Sequence, residues 1–110
     1  MIEKIVLDYL TANASVPCYT ERNGQKGKYI VIEKVGGGET NHIKRASIAV
    51  QSLADSMYEA AELNEAVKGL MKGITALNEV SSCRLDTDYN FTDTASKKYR
   101  YQAVFDLVHY

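Results

Sequence analysis

The alternation of apolar and polar residues is clearest at the end of the chain, in residues 98–110. Large apolar side chains recur there at every second position: Tyr99, Tyr101, Ala103, Phe105 and Leu107. This period is that of a β-strand with one apolar face. The stretch has no Gly or Pro and is rich in aromatic and β-branched residues, so it predicts a strand well inside a sheet.

Two other stretches show the 3.6-residue period of an amphipathic helix. Near the start, apolar residues share one side of a helix predicted for residues 1 to about 12: Ile2, Ile5, Val6, Tyr9 and Leu10. A longer helix is predicted from about residue 55 to residue 73, with Ser56 and Glu59 spaced as a capping box.

Between the two helices, the pattern predicts three strands. Residues 16–21 form a short one, placed at an edge because Pro17 has no N–H for a ladder. The Asn23-Gly24 pair then predicts a type I′ hairpin turn. Residues 29–35 are apolar on both faces, as in a strand with two neighbours. Residues 36–41 (GGGETN) are predicted to break that strand.

The third strand is predicted at residues 43–52, with Ala46, Ile48 and Val50 on its apolar face and a wet opposite face. A fourth strand is predicted from residue 76 to about residue 88. Residues 87–97 are rich in Asp, Asn, Ser and Thr, which predicts a long hairpin connection into the last strand.

Together these elements predict a single α+β domain over residues 1–110. Its mixed or antiparallel sheet has about five strands with two helices packed on it, in the order α-β-β-β-α-β-β. We expect the apolar face of the last strand to receive the long helix. The other face, with Arg100, Gln102 and Asp106, is a candidate surface for a neighbouring subunit.

Composition narrows the classes of partner. The 110 residues carry 13 basic and 14 acidic side chains, a net charge of -1, so the chain lacks the basic excess that drives nucleic-acid binding. No apolar run approaches the length of a membrane span, and residues 1–10 do not resemble a signal peptide. We therefore expect the protein to be made and assembled in a cytoplasm, without membrane or specific nucleic-acid partners.

The residues that could carry chemistry do not form a known motif. The GGGET run at residues 36–40 lacks a helix start behind it and a GK[ST] pattern, so a strand connection is favoured over a phosphate site. His42 and His109 have no nucleophile or carboxylate at motif spacing. Cys18 and Cys83 fit no metal or redox pattern. The Asp cluster near residue 88 lacks a calcium-loop spacing. No cofactor, metal or catalytic residue is predicted.

Charged residues form separate patches along the chain. Arg22, Lys26 and Lys28 make one basic group and Lys97, Lys98 and Arg100 another, while Asp86 and Asp88 are acidic. Such patches are usually solubilising surface. On a nearly neutral domain they also suit head-to-tail association, in which each copy presents opposite charge to its neighbour.

The C-terminal stretch YNFTDTASKKYRYQAVFDLVHY, preceded by RASIAVQSLADSMYEAAELNEAVKGLM, resembles the small tail-terminator or tail-completion proteins of long-tailed bacteriophages and prophages. The resemblance covers the order of elements over the whole chain. It implies a non-enzymatic virion protein whose copies form a ring, typically a hexamer, that caps the tail tube and offers a docking face to the head connector.

On this hypothesis, the function lies in surfaces rather than in a catalytic site. The candidate interface residues are those of the charged patches and of the glycine run: Arg22, Lys26, Lys28, Gly36, Gly37, Gly38, Glu39, Lys44, Arg45, Asp86, Asp88, Lys97, Lys98 and Arg100. Two alternatives stay open. One is a head-completion or minor capsid protein that closes the portal, and the other is a small-molecule-binding or enzymatic α+β domain.

Overall fold

A computed structural model of the chain describes residues 1–21, 26–92 and 98–110. The elements follow the predicted order α-β-β-β-α-β-β, which confirms the α+β class. Their bounds are α1 Ile2–Asn13, β1 Cys18–Tyr19, β2 Tyr29–Thr40, β3 Ile43–Ala54, α2 Met57–Lys72, a 3-10 turn Ile74–Ala76, β4 Val80–Asn90 and β5 Tyr99–His109.

The strands form one five-stranded sheet in the order β1-β2-β3-β5-β4. Only β1 runs parallel to its neighbour, and the other three pairings are antiparallel. β5 lies between β3 and β4, which confirms that the last strand is internal. β1 lies at an edge, as Pro17 predicted. β2 has the two neighbours that its apolar pattern indicated, with β1 pairing at Ile30 and Val31.

Both helices pack on the same face of the sheet and form one hydrophobic core. α1 contributes Ile2, Val6 and Leu10, and α2 contributes Ala60, Leu63, Val67 and Met71. The strand residues that meet them are Ile30, Ile32, Ile48, Val50, Phe105 and Leu107, each no more than 2% exposed. Burying a side chain of this size contributes about 1.5–3 kcal/mol. This core confirms that the apolar face of β5 receives α2.

Ser56 begins α2, as the capping-box spacing predicted. Its Oγ accepts a hydrogen bond from the Glu59 N–H at 3.2 Å. The bond satisfies one of the N–H groups that the first helical turn leaves without an intrahelical partner. Lys72 in the last turn faces the negative end of the helix dipole.

The predicted break at residues 36–41 is wrong. Gly36 to Thr40 continue β2 and pair in register with Ser47 to Ile43 of β3. The chain reverses instead at Asn41 and His42, whose φ angles of 51° and 67° are those of a type I′ turn. The pairing with β3 thus outweighs the low strand propensity of three glycines. The turn predicted at Asn23-Gly24 lies outside the described residues.

The bounds of two further strands differ from the prediction. β1 spans only Cys18–Tyr19 of the predicted residues 16–21. The first residues of the predicted fourth strand form the 3-10 turn, and β4 itself runs from Val80 to Asn90. Residues 87–90, predicted in the connection, therefore belong to the strand. Their Asn and Asp residues favour turns locally, but pairing with β5 holds them extended.

Neither of the described helices packs on the second face of the sheet, yet the central part of that face is buried. Ala49 is fully buried and Gln51 is 6% exposed, so the prediction of a wet face is wrong at these two positions. Gln51 Nε2 donates to Gln102 Oε1 at 3.0 Å, and Gln102 Nε2 donates to the Tyr89 hydroxyl at 2.6 Å. Beside this chain of polar groups, a small apolar cluster joins Tyr19, Tyr29, Val31 and Leu53.

Candidate assembly surfaces

The candidate interface residues separate into three places in the structure. One group lies on the hairpin of β2 and β3, a second at the opposite end of these strands, and a third along β4 at the far edge. Arg22 and Lys97 lie outside the described residues. The molecule measures 44 × 24 × 22 Å, so the two ends of the long strands are well separated.

The hairpin end of β2 and β3, residues 33–45, forms a surface arm. None of its residues is buried, and all but Gly36 are exposed. It carries Gly36, Gly37, Gly38, Glu39, Lys44 and Arg45 from the candidate set, with Lys44 opposite Glu39 and Arg45 opposite Gly38. The structure thus brings these six candidates together on one projecting element.

Two hydrophobic side chains of the arm are also exposed, and the sequence analysis did not select them. Val35 is 53% exposed and lies at a bulge between Lys34 and Gly36, where one extra residue interrupts the β2–β3 register. Ile43 is 44% exposed beside the turn. Neither could be found from alternation alone, because the bulge and the turn decide where each side chain lies.

A groove of about 590 Å³ lies beside the arm. It is lined by Gly37, Gly38, Arg45, Ser47, Arg84 and Asp106, among others. Asp106 accepts from Ser47 Oγ at 2.8 Å and from Arg84 Nη2 at 3.3 Å, which partly neutralises the groove. Arg45 has no ion pair among the described residues, so its positive charge is available to a partner.

At the opposite end of the sheet, Lys98 is held inside the molecule. Its Nζ lies 2.7 Å from Asp55 Oδ1, 3.0 Å from the Gly27 carbonyl oxygen and 5.5 Å from the centroid of the Tyr29 ring. The side chain is 14% exposed. Lys98 therefore joins three segments of this chain, whereas Lys26 nearby is exposed and Lys28 makes only a 3.9 Å contact with Glu59.

Arg100 forms an aromatic cluster at the same end. Its guanidinium lies 4.4 Å from the Phe91 ring centroid, and its Nε donates to the Phe91 carbonyl at 2.8 Å. Tyr89 meets Phe91 edge to face at 5.6 Å, and the two rings are 39% and 42% exposed. Phe91 was not among the predicted interface residues, because a lone Phe in a polar stretch gives no periodic signal.

The two acidic candidates of β4 differ in environment. Asp88 Oδ2 accepts from Asn64 Nδ2 and Lys68 Nζ, each at 3.0 Å, so it ties the sheet edge to α2. Hydrogen bonds from Lys68 to Glu65 and to Asp88 raise the pKa of Lys68. Asp86 is exposed and has no partner among the described residues. It lies at a bulge between Leu85 and Thr87, and Leu85 is 41% exposed.

The residues that were weighed for chemistry lie far apart. Cys18 is in β1 and Cys83 in β4, at opposite edges of the sheet, and both thiols are free. Burial raises the pKa of both, that of Cys83 to about 11. Within the described ranges, no three His, Cys, Asp or Glu side chains are grouped to hold a metal ion. No described helix is long and apolar enough to span a membrane.

Comparison with known proteins gives a fold but no family. No protein-family model matches the chain, and no curated protein matches it. Among solved structures, a chain of the "virion of native gene transfer agent (GTA) particle" superposes with a TM-score of 0.74. The match covers 98% of this chain and 93% of that chain at 13% sequence identity. At this identity the similarity establishes that the two chains share one fold.

Proposed function

We propose that this chain is a non-enzymatic structural protein of a phage or prophage particle, which caps the tail tube as a ring and offers a docking face to the head connector. The observation that carries the proposal is the fold shared with a virion chain over nearly the whole of both chains. It agrees with the resemblance to tail-terminator proteins in the order of the elements.

The distribution of surface features supports a role in assembly. The exposed arm lies at one end of the long strands, and the Arg100–Phe91 cluster lies at the other. A ring subunit between a tube and a connector needs two separate axial faces of this kind. We assign the turn at the tip of the arm, Asn41 and His42, to one axial contact and the aromatic cluster to the other.

The packing of the interior argues against the alternative of a small-molecule-binding or enzymatic domain. The helix–sheet interface is filled by side chains such as Val67, Met71 and Ile48, each with 0% exposure. A small-molecule site normally needs an enclosed pocket with converging polar groups. The described grooves lie on the surface, two of them against the outer side of core residues such as Met71 and Val67. We therefore favour a contact surface over a substrate site.

Binding to the tail tube protein encoded in the same genome tests the proposal. We expect the purified chain to bind assembled tubes at their ends and to form rings there, as seen by electron microscopy and native mass spectrometry. Failure to bind tubes, together with a monomer at high protein concentration, would contradict the proposed function. Capture of the portal or adaptor protein in place of the tube would instead favour the head-completion role.

A further inference from the structure

We propose that the ring is closed by one sheet edge binding the other: β2 of one copy pairs with β4 of the next, and Lys34 forms an ion pair with Asp86 across the junction. This inference rests on the proposed ring. It adds the identity of the two surfaces that meet and the register in which they meet.

The first surface is the open edge of β2. β1 pairs only with Ile30 and Val31, so among the described residues the remaining part of β2, residues 32–40, has no strand on its outer side. A long unpaired strand edge is a template for another strand, and proteins usually protect it with Pro, a charged residue such as Lys, a β-bulge, a cover or short length. This edge has no Pro, and all of its residues from 33 onward except Gly36 are exposed. Its Lys34 and its bulge at Val35 would deter pairing with an unrelated strand, so a partner strand has to supply a matching acidic residue and a matching bulge.

The alternation of backbone groups indicates which of them point outward. Ile30 donates its N–H to the Pro17 carbonyl of β1 at 2.9 Å, so Ile32 and Lys34, at alternate positions, direct their N–H and C=O groups to the same side. Beyond the bulge, Thr40 faces Ile43 across the two-residue turn, which leaves Gly37 and Glu39 as the outward pair. The row of outward groups therefore continues along the arm.

The glycines of the arm leave this edge open to a close approach. A Cβ atom at Gly38 would meet nothing within 4 Å, and none of Gly36, Gly37 and Gly38 has a positive φ. The backbone angles therefore do not require glycine at these positions, although a Cβ at Gly37 would come within 2.8 Å of Cε of Lys34, whose side chain would have to move. Glycine within a strand is often found where another backbone approaches closely.

The second surface is the outer edge of β4, whose only strand partner within the described ranges is β5. The antiparallel pairings β2–β3, β3–β5 and β5–β4 make β4 run opposite to β2 within one copy. Copies related by rotation about an axis along the strands keep this direction. β4 of the next copy therefore meets β2 antiparallel, which is the more stable arrangement of two strands.

The cross-strand register places matching residues at one height on the two edges. Lys34 pairs with Ile48, Ile48 with Phe105, and Phe105 with Leu85, so Lys34 and Leu85 lie on one row across the sheet. Each edge has its extra bulge residue next to this row, Val35 on β2 and Asp86 on β4. An exposed hydrophobic residue and an unpaired charge thus occur together on both edges.

The residues on the two edges are complementary in charge and in hydrophobicity. Lys34 and Asp86 carry opposite charges and have no ion pair among the described residues, while Val35 and Leu85 are 53% and 41% exposed. Joining the edges would pair the two charges and cover the two hydrophobic side chains. Because β2 of each copy meets β4 of the next, the contact is head-to-tail, and it forms a ring when the rotation from copy to copy closes.

Two charge reversals, made separately and then mixed, test the junction. In Lys34→Glu every homomeric junction sets two acidic groups together, and in Asp86→Lys two basic ones. We expect each variant to fold normally and to need about tenfold more protein for half-maximal ring assembly. An equimolar mixture should recover the wild-type midpoint within about twofold, because alternating copies restore opposite charges at every junction of an even-numbered ring.

The matched controls are Lys72→Glu and Glu62→Lys on the exposed surface of α2, which should assemble like the wild type alone and mixed. Native mass spectrometry, with and without tail tubes as template, gives the midpoints and the ratio of the two variants in mixed rings. We expect a ratio of one to one.

Three outcomes would overturn the junction. If both reversed variants cap tubes like the wild type, the junction is wrong while the proposed function stands. If both fail and their mixture also fails, the two residues do not meet across copies. If the wild-type chain forms no ring even on tubes, both the junction and the proposed function fall.

Discussion

The two halves of the β2–β3 hairpin differ sharply although they belong to the same pair of strands. In the half under the helices, Ile30, Ile32, Ile48 and Val50 are at most 2% exposed. In the arm, no residue is buried. Both halves are paired along the ladder, apart from the single bulge at Val35, so strand pairing does not account for the difference. One half stabilises the fold through burial, and the other leaves its side chains exposed for contacts.

The largest expected effect comes from a pair of isoleucines in β3. Ile48 has 0% exposure and Ile43 has 44%. Replacing Ile48 with Ala should lower the free energy of unfolding by about 2–5 kcal/mol, because it removes buried methylenes and leaves a cavity. Replacing Ile43 with Ala should lower it by less than about 1 kcal/mol. Urea unfolding measures both, and equal losses would show that the arm contributes to the core.

The second-largest expected effect is a loss of stability that separates two aspartates of β4. Asp88→Ala leaves the Asn64 amide, 1% exposed, without the acceptor that it has at 3.0 Å. We expect a loss of about 1–3 kcal/mol in the free energy of unfolding. Asp86→Ala should change stability by less than about 0.5 kcal/mol. The same urea titrations serve as the measurement. A large loss at Asp86 would mean that it has a structural partner and is not free for the ring junction.

Two glycines give a smaller contrast. Gly27 has a φ of +74°, where an Ala side chain is strained, whereas Gly38 has open space around it and no positive φ. Gly27→Ala should destabilise the chain by about 1 kcal/mol. Gly38→Ala should be neutral or stabilise it by up to about 1 kcal/mol, since it restricts the unfolded chain.

Thermal unfolding of both glycine variants provides the test. A destabilised Gly38→Ala would indicate a local strain that the backbone does not show. A Gly38→Ala variant that is stable but assembles poorly would support a close approach of a partner strand to the arm.

The last expected effect, absent at neutral pH, is a dependence of stability on alkaline pH. Burial, with a smaller contribution from the charge of Asp106, raises the pKa of the Cys83 thiol from its ordinary value of 9.0 to about 11. Below pH 9 the thiol is protonated in both states, so its contribution to stability is fully present. Between pH 9 and 11 it ionises only on unfolding, and stability falls.

Cys83→Ser removes this titration. The difference in unfolding free energy between wild type and variant should therefore shrink or reverse as the pH rises from 8 to about 11. Titration of the tyrosines and lysines affects both proteins alike and cancels in the difference. A difference that stays constant with pH would show that the Cys83 thiol is not buried as described.

Much of the fold followed from local pattern. The period-two alternation of residues 98–110 predicted an internal strand, and Pro17 predicted an edge strand. The capping spacing of Ser56 and Glu59 located the start of α2. These predictions succeeded because burial on one face imposes its own period on the sequence. The arm was missed because Gly36 to Gly38 carry no side chains to show a period.

The candidate site was harder to predict than the fold. The sequence grouped Asp86 with Asp88, and Lys98 with Arg100, by their closeness along the chain. The structure separates them: Asp88 and Lys98 hold elements of the chain together, whereas Asp86 has no partner among the described residues. Residues two apart in a strand normally share a face, so spacing alone could not separate Asp86 from Asp88. The bulge at Asp86 and the packing of α2 beside Asp88 do so.

By itself, the sequence determined the class of this protein, the order of its elements and the near-neutral charge that argues against nucleic acid. Only the tertiary structure decided that residues 36–40 form a strand and that β2 and β4 are the open edges. It also decided that Lys34 and Asp86 lie at the same level along the strand direction on those two edges. Strand order and register depend on contacts between residues distant along the chain, and local periodicity carries no record of those contacts.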